Sequence, residues 1–376
     1  MASKDPESDR PTLLRPPPHD PNKSHIENTL ELTELSQIEP DIFTNTRPPW
    51  HPAKARGIFG GGVIAQSIFA GQKTVRPDFV IHSCHCYFLL AGSSTIPLVY
   101  HVERVRDGRS FATRTVQARQ RGACIFTITM SFVRRNSGGT KVLRHAIPGP
   151  DPSDVPPVPA SNDDLDSGPH SHDDNADPYV PYVWRSPRIT GELDAPGVYK
   201  RKCQHWMKAR GIISTPPGSP EHIAALAYMS DSAFVASVPR IHGVWRFHSP
   251  PETPVPDHFK PSFREDVSHD GKFNGRDLTQ LTDRPRIGML VSLDHSIYFH
   301  NPEAIKADDW MLTDIHSPFA GDGRGVVISH IYSKEGTLLA TCVQEGVTRL
   351  NPNGPDPINP DVPKEEKEKL DTKAKL

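Results

Sequence analysis

The chain has 376 residues, 40 of them proline, with 35% hydrophobic residues and a formal net charge of −2 at pH 7. This balance gives no electrostatic reason to expect nucleic-acid or membrane-surface binding, and no run approaches the ~20 apolar residues of a membrane span. The 5 cysteines include no CxxC pair, which predicts free thiols in an intracellular protein.

The first foldable unit spans residues 26–135, after 25 polar and proline-rich residues that predict a disordered tail. Gly61–Val75 predicts a helix, and four runs with period-2 apolar character then predict strands. The runs are residues 78–90, 96–108, 109–122 and 123–133, with turns at Asp107-Gly108 and Arg121-Gly122.

Residues 136–178 are rich in Pro, Asp, Ser and Gly and predict a linker. The run His170–Asp174 carries metal-ligating side chains, but a metal site needs a fixed geometry that this composition does not supply. We therefore expect neither a metal site nor a cofactor.

The second foldable unit spans residues 179–350. His222–Val238 is nearly all apolar and has the length of a helix, and Leu290–Val347 predicts an antiparallel meander of four strands. Such a meander needs a helix to cover its buried face. Residues 250–285 predict a proline-rich surface insertion near the cleft, and residues 351–376 predict a flexible tail.

The two units share landmarks in the same order, which indicates two divergent copies of one unit. The pairs are Tyr87-Phe88 with Tyr298-Phe299, Asp107-Gly108-Arg109 with Asp322-Gly323-Arg324, and Gly122 with Gly336. The predicted fold is therefore α+β, with two tandem hotdog repeats, each a curved antiparallel sheet around one central helix.

Six motifs carry a family resemblance: GIFGGGVIAQ, HSCHCYFLL, VERVRDGRSFATR, SLDHSIYFH, DDWMLTDIHSPFAGDGRG and ATCVQEGV. Over roughly residues 43–349 they resemble the type II acyl-CoA thioesterases, a double-hotdog family, and suggest a peroxisomal member of the fungal type. The resemblance implies hydrolysis of fatty acyl-CoA to free fatty acid and coenzyme A.

The resemblance also implies which residues hold the hydrolytic water: a carboxylate, a hydroxyl and a glutamine. Carried over by motif, they are Asp231 in LAYMSD, Ser292 in VSLDHS and Gln344 in VQEG. The family commonly has threonine at the position of Ser292, and it often has arginine at the position of Leu90, where a contact to the anionic substrate is lost.

The residues themselves favour an activated water over an acyl-enzyme, because the chain has neither G-x-S-x-G nor HExxH. The apolar neighbours of Asp231 predict a partly desolvated carboxylate, which is a stronger base. Two simpler interpretations remain: Asp231 caps a short helix, and Gln344 is an exposed polar residue of an edge strand.

Strand alternation predicts that Asp294 shares a face with Ser292 and that His295 points away. His295 and His300 are accordingly interpreted as structural. In the first copy, Met130 aligns with Gln344 and Ile81 with Ser292, and the first helix has no carboxylate. We therefore expect one active site per chain.

Two sets of residues are candidates for substrate binding. Gly60, Gly61 and Gly62 lie before or at the start of a helix, where backbone N–H groups can meet a phosphate or carbonyl oxygen, or where glycine simply permits close packing. Arg109 and Arg324 each follow a turn and can contact the phosphates of coenzyme A or pair with the turn aspartates.

The last three residues, Ala374-Lys375-Leu376, resemble the peroxisomal address S-K-L. They predict a peroxisomal import receptor as partner, with the cytoplasm as the alternative location, and homo-oligomers through sheet edges are a further expectation. Two other functions stay open at this point. One is a hotdog enoyl-CoA hydratase, which would be expected to carry an Asp and His pair, and the other is a non-catalytic acyl-CoA binding protein.

Overall fold

The computed structural model describes residues 16–52, 55–159, 180–185, 187–191, 196–244, 272–273, 276–277, 285–355 and 361. Four predictions lie wholly or largely outside these residues. They concern the start of the N-terminal tail, the His170–Asp174 run of the linker, most of the insertion at 250–285, and the C-terminal tripeptide.

Helices span His25–Leu30, Gly60–Lys73, Pro220–Ser230 and Ser237–Ile241, and 3-10 turns span Val198–Lys200 and Pro302–Ala304. The strands of the first unit are β1 (Leu32–Glu34), β2 (Ile42–Asn45), β3 (Phe79–Phe88), β4 (Val99–Asp107), β5 (Phe111–Gln120) and β6 (Ala123–Arg134). The remaining strands are β7 (Tyr182–Trp184), β8 (Arg188–Ile189), β9 (Lys202–Ala209), β10 (Lys272–Phe273), β11 (Arg276–Asp277), β12 (Ile287–Ser292), β13 (Asp294–Phe299), β14 (Met311–Gly321), β15 (Arg324–Ser333) and β16 (Leu338–Leu350).

The two units form one continuous antiparallel sheet in the order β1-β2-β4-β5-β6-β3-β13-β16-β15-β14-β9-β7, with β12 on β16 and β8 on β9. The units meet where β3 pairs with β13, from Asp294 opposite Tyr87 to Tyr298 opposite Ser83. Strands β10 and β11 form a separate ribbon. A helix lies on the buried face of each half, so the predicted α+β double hotdog is confirmed.

The first central helix is Gly60–Lys73, and Ile64, Ala65 and Ile68 on it are buried in the core. The second central helix is Pro220–Ser230, with proline in its first turn, where a missing N–H costs nothing. The two helices pack closely at Gly61, because a methyl group there would lie 2.2 Å from the carbonyl oxygen of Tyr228.

The prediction of one helix over His222–Val238 is wrong, because the second central helix ends at Ser230. Asp231 is its C-cap residue, and Ala233 adopts a left-handed φ of 55° that an α-helix cannot continue through. The chain then forms the short helix Ser237–Ile241, whose N-cap is Ala236. The interpretation of Asp231 as an N-cap is therefore excluded.

The ends of the predicted units also differ in detail. Asp20 N donates to Asn28 Oδ1 at 2.9 Å, and Ser24 and Glu27 form a capping box, so residues 20–25 belong to the first unit rather than to a tail. Residues 136–159 of the predicted linker contain no helix or strand. They run along the second unit, where Trp206 Nε1 donates to Pro156 O at 2.8 Å. Among the described residues, no helix is long and apolar enough to cross a membrane.

Candidate active site

Asp231 and Gln344 meet at the junction of the two units. Asp231 follows the last turn of the second central helix, and Gln344 lies in the middle of β16. Gln344 Nε2 donates to Asp231 Oδ1 at 2.7 Å. Asp231 is half-buried, whereas Gln344 is 0% exposed. The structure therefore brings together two of the three predicted water-holding residues, and it excludes an exposed edge position for Gln344.

The orientation of the Gln344 amide follows from its neighbour. A flipped amide would place Oε1 against the carboxylate of Asp231, where two acceptors repel each other. With Nε2 on Asp231, Oε1 is a buried acceptor that has no hydrogen-bond partner among the described residues. A buried acceptor without a hydrogen bond destabilises the folded protein unless water or a ligand donates to it.

Gly60, Gly61 and Gly62 form the first turn of the first central helix, rather than a loop before it. A methyl group at Gly60 would lie 2.7 Å from Asp231 Oδ2, so the carboxylate reaches the N-terminal end of this helix. The partial positive charge at a helix N-terminus favours a nearby anion, whereas the C-terminal end of Asp231's own helix disfavours it. The first unit thus supplies an electrostatic contact that the second unit lacks.

Ser292 ends β12 and pairs with Gly346, two residues after Gln344. By strand alternation, the side chains of Ser292 and Gln344 therefore share the face that covers the helices. Ser292 is half-buried. Its hydroxyl is placed on the same side of the sheet as the Asp231–Gln344 pair.

A β-bulge follows Ser292. Ser292 pairs with Gly346 and Ser296 with Val343, so four steps along one chain face three along the other. Because of this extra residue, the side chains after the bulge point to the opposite faces from those that simple alternation from Ser292 predicts. The predictions for Asp294 and His295 are therefore wrong: Asp294 lies on the opposite face and accepts from Glu345 N at 2.7 Å, while His295 faces Gln344.

His295 is fully buried and joins the amide to the second central helix. Its Nδ1 lies 3.2 Å from Gln344 Nε2, and its Nε2 lies 3.0 Å from Ser230 Oγ. Burial lowers the pKa of His295 to about 3, so the ring is neutral. The sequence contained one signal for this contact: aligning Tyr87 with Tyr298 places Cys84 opposite His295, as Met130 is placed opposite Gln344.

The two candidate arginines do not pair with the turn aspartates. Arg324 Nη1 donates to Glu345 Oε1 at 2.8 Å, on the face of β16 opposite Gln344. Arg109 is exposed in the turn after β4, and the turn residue Asp107 accepts instead from the buried Arg114 at 2.5 Å. Contact of Arg109 or Arg324 with coenzyme A stays a prediction.

The fold defines the class of protein: a double hotdog with a polar centre between its two halves. A family model described as "Acyl-CoA thioesterase N-terminal domain" matches residues 46–133, and one described as "Acyl-CoA thioesterase C-terminal domain" matches residues 152–348. The second match begins within the predicted linker, where the described chain already packs on the second unit.

Known proteins agree with the family models. The chain is 32% identical to acyl-coenzyme A thioesterase 8 of Mus musculus, over 85% of this chain and 88% of that protein. It is 36% identical to peroxisomal acyl-coenzyme A thioester hydrolase 1 of Saccharomyces cerevisiae, over 34% of this chain and 38% of that protein. The crystal structure of an acyl-CoA thioesterase II from Mycobacterium marinum superposes with a TM-score of 0.57 at 28% identity, over 88% of this chain and 99% of that one.

The chain belongs to the type II acyl-CoA thioesterase family. The predicted family and the predicted class of enzyme, a thioester hydrolase, are therefore confirmed. The roles of individual residues do not follow from these matches.

Proposed function

We propose that this chain hydrolyses fatty acyl-CoA to free fatty acid and coenzyme A by activating a water molecule between Asp231 and Gln344. The observation that carries the proposal is the Gln344 Nε2 contact to Asp231 Oδ1 at 2.7 Å, which leaves Gln344 Oε1 as a buried acceptor. A water at this position can donate one O–H to the carboxylate and the other to Oε1, so its lone pair is free to attack.

In the proposed reaction, Asp231 takes a proton as the water oxygen attacks the thioester carbonyl carbon. The carbonyl oxygen becomes negatively charged in the tetrahedral intermediate, and the Ser292 hydroxyl is the donor proposed to stabilise it. The C–S bond then breaks, the electron pair leaves with sulfur, and the proton held by Asp231 neutralises the thiolate. Hydrolysis in this way consumes one water and restores the carboxylate.

The chemistry of the nearby thiols supports water as the nucleophile. Cys84 and Cys86 are buried at the junction of the two units, and burial raises the pKa of Cys84 to about 12 and the pKa of Cys86 well above its usual value. Only a thiolate attacks a thioester effectively. Thiols that stay protonated at neutral pH are poor nucleophiles, which favours water over an acyl-cysteine intermediate.

The test is release of free thiol from palmitoyl-CoA by the wild-type chain, by Asp231→Asn and by the control Asp294→Asn. Asp231→Asn removes the base without changing its shape, and we expect kcat to fall about 10²-fold or more. Asp294 lies on the other face, so its variant should keep wild-type kcat. Equal turnover by wild type and Asp231→Asn would remove Asp231 from the mechanism. Tight binding of acyl-CoA without turnover would support the non-catalytic binding protein, and hydration of an enoyl-CoA would support the hydratase.

We also propose that the protein acts in the peroxisome through recognition of Ala374, Lys375 and Leu376 by an import receptor. The support is the tripeptide's resemblance to S-K-L and the word peroxisomal in the name of the Saccharomyces cerevisiae relative. Such an address works only at a free C-terminus. A fluorescent protein fused to the N-terminus should therefore reach peroxisomes, and deletion of residues 374–376 should leave it in the cytoplasm. Peroxisomal fluorescence after the deletion would overturn the proposal.

A further inference from the structure

The buried ring of His295 connects the Gln344 amide to the end of the second central helix. His295 Nδ1 lies 3.2 Å from Gln344 Nε2, and His295 Nε2 lies 3.0 Å from Ser230 Oγ. Ser230 Oγ also lies 2.9 Å from the carbonyl oxygen of Ala227. The Phe234 and His295 rings form a T-shaped pair, with centroids 5.3 Å apart. The imidazole is therefore contacted at both nitrogens and by one aromatic ring.

The donor and the acceptor of each hydrogen bond in the series Ala227–Ser230–His295–Gln344 follow from the chemistry of the groups. The Ala227 carbonyl only accepts, so the Ser230 hydroxyl donates to it and Oγ is left to accept. The Gln344 NH₂ group only donates, so His295 Nδ1 must accept from it. His295 is then the Nε2–H tautomer, and its Nε2–H donates to Ser230 Oγ. All three hydrogen bonds agree with one assignment.

The hydrogen bonds to Asp231 and His295 use both hydrogens of the Gln344 amide. One is donated to Asp231 Oδ1 at 2.7 Å and the other to His295 Nδ1 at 3.2 Å. The amide can therefore neither flip nor rotate without losing two hydrogen bonds, and its Oε1 is held in one direction. Without the ring, one N–H of a buried amide would lose its partner, and a flip would become less costly.

The first unit offers an internal comparison. There, Cys84 and Met130 pair across β3 and β6 at the positions that align with His295 and Gln344. Both are buried and apolar. The histidine and the glutamine thus occur together in the second unit, and both are replaced in the first, as expected if the ring acts through the amide.

We propose that His295 is a positioning residue: it holds the Gln344 amide so that Oε1 faces the hydrolytic water. The proposal rests on the proposed role of Gln344. It assigns no proton transfer to the imidazole. Its effect should therefore appear in kcat and should disappear when Gln344 is absent.

The kinetic test is a double-mutant cycle of His295→Leu and Gln344→Ala with palmitoyl-CoA. We expect His295→Leu to lower kcat about 10- to 100-fold and to change KM by less than about threefold. In the Gln344→Ala background, the same change should alter kcat by less than about twofold. If His295 has a role in stability alone, His295→Leu would lower the melting temperature and would reduce kcat by the same factor with and without Gln344. That result would overturn the proposal.

Two further variants separate the ring from its position. His295→Asn retains an acceptor near Nδ1 and should recover most of the lost kcat. If the leucine variant does not fold, His295→Met, which also lacks the ring acceptor, takes its place in the cycle. His300→Leu removes a histidine of the same segment whose Nε2 lies 2.8 Å from Thr341 Oγ1, on the other face, and should keep wild-type kcat. Loss of kcat by His300→Leu that equals the loss by His295→Leu would contradict the assignment.

The tautomer can be measured without any turnover. In a ¹⁵N-histidine-labelled protein, the His295 signals, assigned by their loss in His295→Asn, should show a protonated Nε2 and an unprotonated Nδ1 from about pH 5 to about pH 8. An Nδ1–H tautomer would overturn the proposal even if the enzyme is active. If the Nε2–H tautomer is found but Asp231→Asn retains full activity, the proposed mechanism fails while the arrangement of the ring stands.

Discussion

The contact between Gly60 and Asp231 makes a specific prediction for a single methyl group. In Gly60→Ala, the new Cβ would lie 2.7 Å from Asp231 Oδ2 and 2.7 Å from a carbon of the Phe88 ring. Ordinary contacts begin near 3.4 Å, so the carboxylate or the helix must shift by about 0.7 Å. A misplacement near 1 Å can cost about 10²-fold in rate. We therefore expect kcat to fall about 10- to 100-fold.

The adjacent glycines are matched controls with different expected results. In Gly62→Ala, the nearest atom is Cε2 of Tyr228 at 3.4 Å, an ordinary contact. This variant should keep kcat and gain about 0.5–1 kcal/mol in the free energy of unfolding, because alanine favours the helix. In Gly61→Ala, the methyl group would meet the Tyr228 carbonyl oxygen at 2.2 Å, and the helices must separate. We expect a loss of at least ~1–3 kcal/mol in stability.

The assay combines thiol release from palmitoyl-CoA with thermal unfolding of each variant. We expect Gly60→Ala to lose activity while keeping its fold, Gly61→Ala to unfold at a lower temperature, and Gly62→Ala to lose neither activity nor stability. The predicted role of the Gly60 contact is refuted if Gly60→Ala has wild-type kcat, or if Gly62→Ala loses as much kcat as Gly60→Ala.

Three further predictions follow from single side chains. Ser292→Thr keeps the hydroxyl and should retain kcat within about threefold, whereas Ser292→Ala should lower it at least about tenfold in the same thiol-release assay. Burial lowers the pKa of His205 from 6.5 to about 3, so the unfolded chain binds the proton first and stability falls as pH drops below 6.5. In urea unfolding between about pH 7.5 and about pH 5.5, His205→Gln should reduce the change in unfolding free energy with pH by up to ~1.4 kcal/mol per pH unit. An unchanged pH dependence would contradict this prediction. A maleimide should label the half-buried Cys124 in the native protein before the buried Cys84, as read by peptide mass, and faster labelling of Cys84 would be inconsistent with the structure.

Local patterns in the sequence are sufficient to predict most strands and the first central helix. The glycines of the turns show why: Gly122, Gly323 and Gly336 all have positive φ, which other residues adopt at a cost. The second central helix is different. Within the apolar run His222–Val238, the polar residues Ser230-Asp231-Ser232 are a weak signal for a break, and the left-handed residue Ala233 is of a type that rarely adopts a positive φ. The left-handed conformation that stops this helix is therefore one that the local sequence does not favour.

The candidate site is predictable in part for the same reason. Motifs in the sequence pointed to Asp231, Ser292 and Gln344, but the face on which His295 lies depends on a bulge after Ser292. A bulge changes the pairing between two distant segments and leaves no local pattern. The contact of Gly60 with Asp231 joins positions in different units, so composition and periodicity carry no information about it. For the contact between His295 and Gln344, the alignment of the two copies offered a signal, because it places Cys84 and Met130 at the matching positions.

The position of Asp231 predicts that activity needs the first unit, although that unit lacks the polar pair. The carboxylate follows the C-terminal end of its own helix, where the partial negative charge opposes it, and the first central helix places its positive end beside it at Gly60. The second unit alone should therefore hold Asp231 in a less favourable field. Activity should require both units even though the side chains proposed to react come from one.

Splitting the chain tests this requirement. A cut between Gly139 and Thr140, which are exposed and outside any strand, gives fragments of residues 1–139 and 140–376. We expect the second fragment alone to have at least about 10²-fold lower kcat, and co-expression with the first fragment to restore turnover of palmitoyl-CoA. Co-expression with a first fragment carrying Gly60→Ala should restore the complex but not the rate, which separates assembly from the contact. Wild-type kcat from a folded second fragment alone would show that Asp231 needs no partner from the first unit.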